Sequence, residues 1–132
     1  MGGTVPVSEL RLVVTATDYD EAVHFYRDVL GLPERDAVQP PRGRVMILDA
    51  GRATLEIAEP ATAEYIDEVE VGRRVAGHVR VAFQVDDVAA TTGALAEAGG
   101  TVLGEPRQTP FRSTNSRLDG PAGLQLTLFQ LD

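Results

Sequence analysis

A nine-residue pattern near the start of the chain returns, without a gap, 69 residues later. Val79–Asp87 aligns with Leu10–Asp18, and Asp87 then falls on Asp18. Each copy begins with β-branched and apolar residues, which predicts a strand, and continues into a segment with helical spacing. Because solenoids need three or more repeats to bury a continuous core, two copies of this length predict a duplicated fold instead.

The first copy carries the clearest boundary signals. A strand is predicted at Leu10–Ala16, followed by a helix over residues 19–30 that begins at Asp18, with Glu21 completing a capping box. Gly31 predicts a left-handed stop to this helix. The second copy repeats the order, with a helix over residues 88–98. Further strands are predicted within residues 35–39, at Val45–Leu48, at Ala53–Ala58, from Val102, at Ser116–Leu118 and at Leu124–Leu131. The turn Asp49–Arg52 joins the second and third of these strands. A short connector helix is predicted at Thr62–Val69.

Each half therefore has the order strand, helix, strand, strand, strand. A sheet covered by a helix on one face leaves its other face free, and two such free faces form a cleft. The predicted fold class is α+β, with two tandem βαβββ modules forming a concave sheet cleft and helices on the outside. The chain is expected to be a single domain, with module one at about residues 8–59, a connector at 60–77 and module two at about 78–131.

Composition limits the classes of function. The formal net charge is -8, which argues against nucleic-acid binding because such proteins need a basic surface. No stretch is long and apolar enough to span a bilayer, so no membrane partner is expected. The chain has no cysteine and residues 1–9 do not resemble a secretory signal, which together favour a cytoplasmic protein.

Three segments carry a family resemblance. Thr17–Leu32 resembles a helix entry with an "FY…LG" ending, Val85–Val88 resembles the opening of a second module, and Asp119–Phe129 resembles a "DPDG…hELF" strand. In this order they resemble the vicinal oxygen chelate superfamily, which includes glyoxalases, extradiol dioxygenases and bleomycin-resistance proteins. The resemblance runs from about Leu10 to Gln130.

The resemblance also implies where a metal would be held. Enzymes of the family place a His or Gln on the first strand of each module and a Glu on the last, and these positions correspond to Arg11, Glu56, Arg80 and Thr127 in this chain. Arginine has no lone pair to donate to a cation. We therefore expect no metal and no other cofactor. A shifted alignment would instead offer His78 as a ligand, although the gap-free repeat argues against it.

Strand alternation separates the residues that face the cleft from those that face the helices. The cleft-facing positions predict a mixed polar and apolar small-molecule site. Glu56 has an alternative role in a structural ion pair with Arg11 or Arg80. Phe111 lies in a predicted mobile loop at Thr109–Asn115, where it either stacks on a ligand or packs under its own loop. The predicted ligand-binding residues are Arg11, Thr15, Met46, Glu56, Arg80, Gln84, Phe111, Asn115, Thr127 and Phe129.

Three functions follow as hypotheses. By resemblance to the resistance branch of the family, the chain is expected to sequester an antibiotic or natural product without a metal, as a homodimer with clefts near the interface. Glycopeptides, quinones and enediyne products are the ligands that this resemblance implies. The alternative is a metal-dependent lyase, isomerase or dioxygenase. A third hypothesis is a metal-free enzyme with Glu56 as general base and Arg11 or Arg80 stabilising an oxyanion.

Overall fold

A computed structural model describes residues 11–14, 16–38, 42–53, 56 and 58–132. Within these residues the fold is mixed α+β, with six strands in two sheets, and it agrees with the fold class predicted from the sequence. The elements, in chain order, are α1 (Tyr19–Val23), a π-helix (His24–Val29), β1 (Glu34–Val38), β2 (Val45–Leu48), α2 (Pro60–Glu70), β3 (Val81–Gln84), α3 (Val88–Glu97), β4 (Thr101–Gln108), β5 (Ser113–Asp119), a 3₁₀ turn (Pro121–Gly123) and β6 (Gln125–Leu131).

The first helix begins as predicted. The Oδ1 atom of Asp18 accepts a hydrogen bond from the backbone N–H of Glu21 at 3.0 Å. After α1 the helix widens, and the N–H of Leu30 donates to the carbonyl of Phe25, five residues back. Gly31 follows with φ +90°, which confirms the left-handed stop. Asp87 caps α3 in the same way, through the N–H of Ala90, so the repeat extends to the capping chemistry.

Within the described residues, the first sheet is smaller than the sequence predicts. It contains β1 and β2, paired antiparallel, which confirms the strands predicted within residues 35–39 and at Val45–Leu48. The strand predicted at Leu10–Ala16 is wrong over its described residues, because residues 11–14 and 16 lie outside any strand. The same holds for the described residues of the Ala53–Ala58 prediction. Apolar, β-branched sequence favours a strand only where a neighbour supplies cross-strand contacts.

The second sheet has the order β3-β6-β5-β4. β3 and β6 are parallel, whereas β6, β5 and β4 are antiparallel neighbours. The predicted Thr109–Asn115 loop is wrong at its end, since Ser113 already begins β5 and Asn115 pairs with Phe129 of β6. Successive cross-strand pairs hold these residues in the ladder, which leaves only residues 109–112 as the turn.

The hydrophobic core lies on one face of the second sheet. Phe25 from the first helix and Leu95 from α3 are fully buried there against Leu118, Leu126 and Leu128. This arrangement confirms the prediction that the apolar side of the last strand packs against helices, here the first helix and α3. Ser116 on the same face of β5 hydrogen-bonds Thr92 of α3 at 2.7 Å.

The connector helix α2 lies against the opposite face. Arg117, adjacent to Ser116 and therefore on the other side of β5, contacts Asp67 and Glu70 of α2. The helix is longer than the predicted Thr62–Val69, and its last turn approaches β4 at Gly104. A Cβ atom on Gly104 would overlap the backbone carbonyl oxygen of Glu70, so only glycine fits there. Of the described helices, none is long and apolar enough to cross a membrane.

Candidate functional site

A pocket of about 280 Å³ opens on the α2 side of the second sheet. It is lined by the strands β3, β5 and β6, by α2 and by the turn before β5. It brings together six of the residues that the sequence predicts as ligand-binding: Glu56, Arg80, Phe111, Asn115, Thr127 and Phe129.

The other predicted site residues lie elsewhere or are not described. Thr15 lies outside the described residues. Arg11, Met46 and Gln84 do not line the pocket, and Arg11 and Gln84 are exposed. Gln84 is the last residue of β3, and its side chain is exposed to solvent.

Arg80 and Thr127, two of the positions that the family resemblance assigns to metal ligands, are bonded to each other. The Nη1 atom of Arg80 donates to the Oγ1 atom of Thr127 at 2.7 Å. Thr127 also accepts from Nε of Arg117 at 3.1 Å and donates its own proton to Oε1 of Glu70 at 2.8 Å. Since arginine is only a donor, both lone pairs of the Thr127 hydroxyl are occupied. A divalent ion therefore does not fit these positions, where Glu56 is the one remaining oxygen donor.

The centre of the polar network is Arg117, which the sequence analysis missed. Its side chain is fully buried, and Nη1 donates to Oδ1 of Asp67 at 2.8 Å while Nε donates to Oε1 of Glu70 at 3.0 Å. Nη1 also donates to the side chain of Gln125 at 2.8 Å. These ion pairs compensate the charge of Arg117 inside the protein, so Arg117 fastens α2 to the sheet.

Glu70 accepts three hydrogen bonds from side chains of the sheet. Besides Arg117 and Thr127, the Nδ2 atom of Asn115 donates to Oε2 of Glu70 at 2.8 Å. This bond orients the amide of Asn115, because the opposite orientation would place two oxygen atoms together. The Oδ1 atom of Asn115 is buried and has no hydrogen-bond partner among the described residues.

Burial and charge shift two pKa values in this region. Burial, together with the nearby guanidinium of Arg117, lowers the pKa of Arg80, although Glu70 and Glu56 oppose the shift. Burial alone would raise the pKa of Asp67, but hydrogen bonds from the backbone of Ala76, from Arg117 and from the backbone of Val75 outweigh it and hold that pKa below its usual range. Asp67 is therefore a carboxylate at neutral pH, as its ion pair requires.

Phe111 stands at the mouth of the pocket. The residue is 49% exposed, and its ring packs edge-on against Tyr65 of α2 with 6.0 Å between ring centroids. Arg112, the next residue, has φ +60°, and the N–H of Phe111 bonds the side chain of Thr109. The sequence alternative in which Phe111 packs under its own loop is therefore wrong, because the ring contacts another element and lines the pocket.

The structure bears on the predicted ion pair between Arg80 and Glu56 and on His78 as a metal ligand. Arg80 hydrogen-bonds Thr127, and no ion pair between Arg80 and Glu56 occurs in the described part of the chain. His78 is exposed. Among the described residues, no group of three or more His, Cys, Asp or Glu side chains is placed to hold a metal ion.

Asp67, Glu70 and Arg117 are the site residues that sequence reasoning missed. A signal for them exists, since Asp67 and Glu70 are three residues apart and so share one face of a helix. Arg117 alternates with two residues that face the core, which places it on the pocket side of β5. What the sequence does not indicate is that α2 lies on that side.

The family model that matches this chain is described as Glyoxalase/Bleomycin resistance protein/Dioxygenase superfamily, and it matches residues 10–128. The chain belongs to this superfamily. The resemblance found in the sequence is thereby confirmed. No curated protein matches the chain.

Solved structures of superfamily members and other proteins share the fold. TnmS3, an antibiotic binding protein from Streptomyces sp. CB03234, is 24% identical with a TM-score of 0.63, and the match covers 98% of this chain and 100% of TnmS3. A glyoxalase-related enzyme from Fulvimarina pelagi is 16% identical with a TM-score of 0.57, covering 94% and 88%. The hypothetical protein SA1046 from S. aureus is 14% identical with a TM-score of 0.58, covering 96% and 95%. At these identities the likeness shows the fold alone.

Proposed function

We propose that this superfamily member is a small-molecule binding protein that sequesters an antibiotic or natural product without a metal. The observation that carries the proposal is the hydrogen bond between Arg80 and Thr127. It joins two positions at which metal-dependent members of the family would hold an ion, and it leaves the pocket lined by a guanidinium, an amide and aromatic rings.

The character of the pocket supports direct binding of an organic ligand. Phe111 and Phe129 supply flat apolar surface, and Arg80, Asn115 and Glu56 supply polar groups around it. A few polar groups in an otherwise apolar concavity are typical of small-molecule sites. TnmS3, which shares the fold, is an antibiotic binding protein, and this supports natural products as the first ligands to test.

The proposal is tested with the full chain after dialysis against EDTA. A panel of glycopeptide, quinone and enediyne natural products is titrated in thermal-shift and calorimetric assays. A ligand at 100 times its Kd is expected to stabilise the protein by about 2.7 kcal/mol without added metal. Phe129→Ala should weaken binding of the same ligand, whereas Phe25→Leu, a change in the core, serves as the control for general destabilisation.

Two results would overturn the proposal. The first is that no compound of the panel stabilises the protein. The second is that protein purified without chelator contains a stoichiometric divalent metal, loses it on Glu56→Gln substitution and turns over a substrate only when loaded. The second result would establish the metal-dependent alternative.

We further propose that the chain forms a homodimer with its clefts near the interface. The support is the exposure of apolar residues after Arg11, where Leu12 is 52% and Val13 is 85% exposed, together with exposed Val79. Exposed large apolar side chains favour association. Sedimentation equilibrium is expected to give twice the mass of 14.1 kDa, and Val13→Lys to shift it to the monomer. A wild-type protein that is monomeric at micromolar concentration would refute this.

A further inference from the structure

Among the described residues that line the pocket, Arg80 is the cation, and it has no ion pair within the described part of the chain. Its Nη1 atom donates to Thr127, while its Nε and Nη2 atoms have no protein partner within the described residues. Arg117, by contrast, has two buried carboxylates beside it. A half-buried guanidinium without an ion pair is a costly arrangement, since its lost hydration is not replaced.

The Nε and Nη2 atoms of Arg80 are suited to bind a carboxylate. Nε and Nη2 form a planar fork whose two parallel N–H groups match the two oxygen atoms of a carboxylate. Such bonds are shorter and stronger than neutral hydrogen bonds, and a partly desolvated site increases their strength. A carboxylate on the ligand would thus supply the ion pair that the protein does not.

A second, independent observation lies at Asn115. This residue is only 7% exposed and lines the pocket, and its buried Oδ1 atom lacks a hydrogen-bond partner in the described part of the chain. Its Nδ2 atom is held by Glu70, so the amide cannot turn to satisfy itself. A buried acceptor left unpaired costs free energy. A hydroxyl donor on a ligand would remove that cost.

Spacing and volume limit the ligand that joins these two groups. Asn115 pairs with Phe129 of β6, and Arg80 reaches Thr127, two residues earlier along the same strand and so about 7 Å away. The volume of about 280 Å³ lies just below the usual range of about 300–1,000 Å³ for small-molecule sites. One or two fused aromatic rings between Phe111 and Phe129 match both limits.

We infer that the pocket binds an aromatic carboxylic acid that carries a hydroxyl group at the far end of its ring system. The carboxylate accepts from Arg80, the hydroxyl donates to the Oδ1 atom of Asn115, and the rings lie against Phe111 and Phe129. This inference rests on the proposed small-molecule binding function and names the chemical class of its ligand or of the ligand's buried part.

The first test compares three probes on the full chain by isothermal calorimetry. The probes are a hydroxynaphthoate with its two substituents at opposite ends, its methyl ester, and the naphthoate without the hydroxyl. The ester is expected to bind at least about tenfold more weakly than the acid, because a charge-assisted bond is lost. Loss of the hydroxyl should weaken binding by about fivefold. Equal affinities for acid and ester would overturn the inference.

The second test repeats the comparison of the acid and its methyl ester with variants of Arg80. Arg80→Gln should abolish the preference for the acid over the ester, while Arg80→Lys, which keeps the charge but loses the fork, should retain part of it. Arg73→Gln removes an equal charge from an exposed position and should leave the preference unchanged. If Arg80→Gln still prefers the acid over the ester, the inference is also overturned. If a variant fails to fold, the comparison of the three probes on the wild-type protein still tests the inference.

The outcomes separate this inference from the proposed function. If the natural products of the panel bind but none of the acidic probes does, the aromatic-acid inference fails and small-molecule binding stands. If neither group of compounds binds, both fail.

Discussion

At the scale of single residues, the buried ion network is the feature with the largest energetic consequence. Arg117, Asp67 and Glu70 are all almost fully buried, and each depends on the others for its charge to be tolerated. A buried ion pair is often no more stable than apolar residues of the same volume, but removing one partner leaves an uncompensated charge. The network is therefore sensitive to single changes.

We expect Arg117→Met to lower the free energy of unfolding by about 3–5 kcal/mol, because Asp67 and Glu70 would remain buried without their cation. Urea denaturation monitored by circular dichroism measures this. Arg73→Met is the matched control at an exposed site and should change stability by less than about 0.5 kcal/mol. Equal losses in the two variants would mean that Arg117 is not structurally important.

The pH dependence of stability follows from Asp67. Its pKa is lowered in the folded protein, so the stability it contributes is present above its unfolded pKa, near about 3.9, and is lost as pH falls through the folded value. We expect Asp67→Asn to be less stable than wild type at pH 7, with the difference shrinking as pH falls below about 4. Denaturation midpoints of the variant and the wild type at pH 7 and below about pH 4 measure this difference. Asp20→Asn, which alters an exposed carboxylate, is the control.

At the scale of elements, α2 determines the shape of the site. It closes one side of the concave face, presents Tyr65 to Phe111 and places Glu70 beside Asn115. The connector was predicted to be a short helix, yet its role as a wall of the pocket depends on its close approach to β4 at Gly104. Side-chain size at that one glycine controls the position of the whole helix.

Two glycine substitutions are expected to act in opposite directions. Gly104→Ala should destabilise the protein by about 1–3 kcal/mol, because its Cβ atom would overlap backbone that cannot move without displacing α2. Gly93→Ala, in the middle of α3 with open space around its Cβ position, should stabilise it by roughly 0.5–1 kcal/mol. Thermal denaturation of both variants measures this, and a neutral Gly104→Ala would contradict the close packing of α2 on β4.

At the scale of the whole molecule, the net charge and the contacts in the pocket affect different steps of ligand binding. The net charge of -8 surrounds a pocket that we infer to bind an anion. Long-range repulsion affects the rate at which a ligand arrives, whereas the contacts of Arg80 act once it is bound, at distances too short for salt to screen fully.

The association rate of the hydroxynaphthoate is therefore expected to rise between about 10 and 150 mM salt, because salt screens the negative surface over a Debye length that falls from about 30 to 8 Å. Stopped-flow fluorescence measures this rate. The neutral methyl ester is the control and should associate at a rate that salt does not change. A rate for the acid that falls with salt would show that a local positive field dominates.

The sequence alone determined the family, the α+β class, the capped helices and the alternation of β6, because these depend on local spacing and on residue types. It also indicated Arg80 and Thr127 as residues of the cleft, and both line the pocket. Only the tertiary structure decided that these two are bonded to each other, that residues 11–14 are not in a strand, and that α2 brings Asp67 and Glu70 onto Arg117. The Arg80 and Arg117 contacts join residues about fifty positions apart, and whether a segment becomes a strand depends on its neighbours, so both depend on which faces pack together.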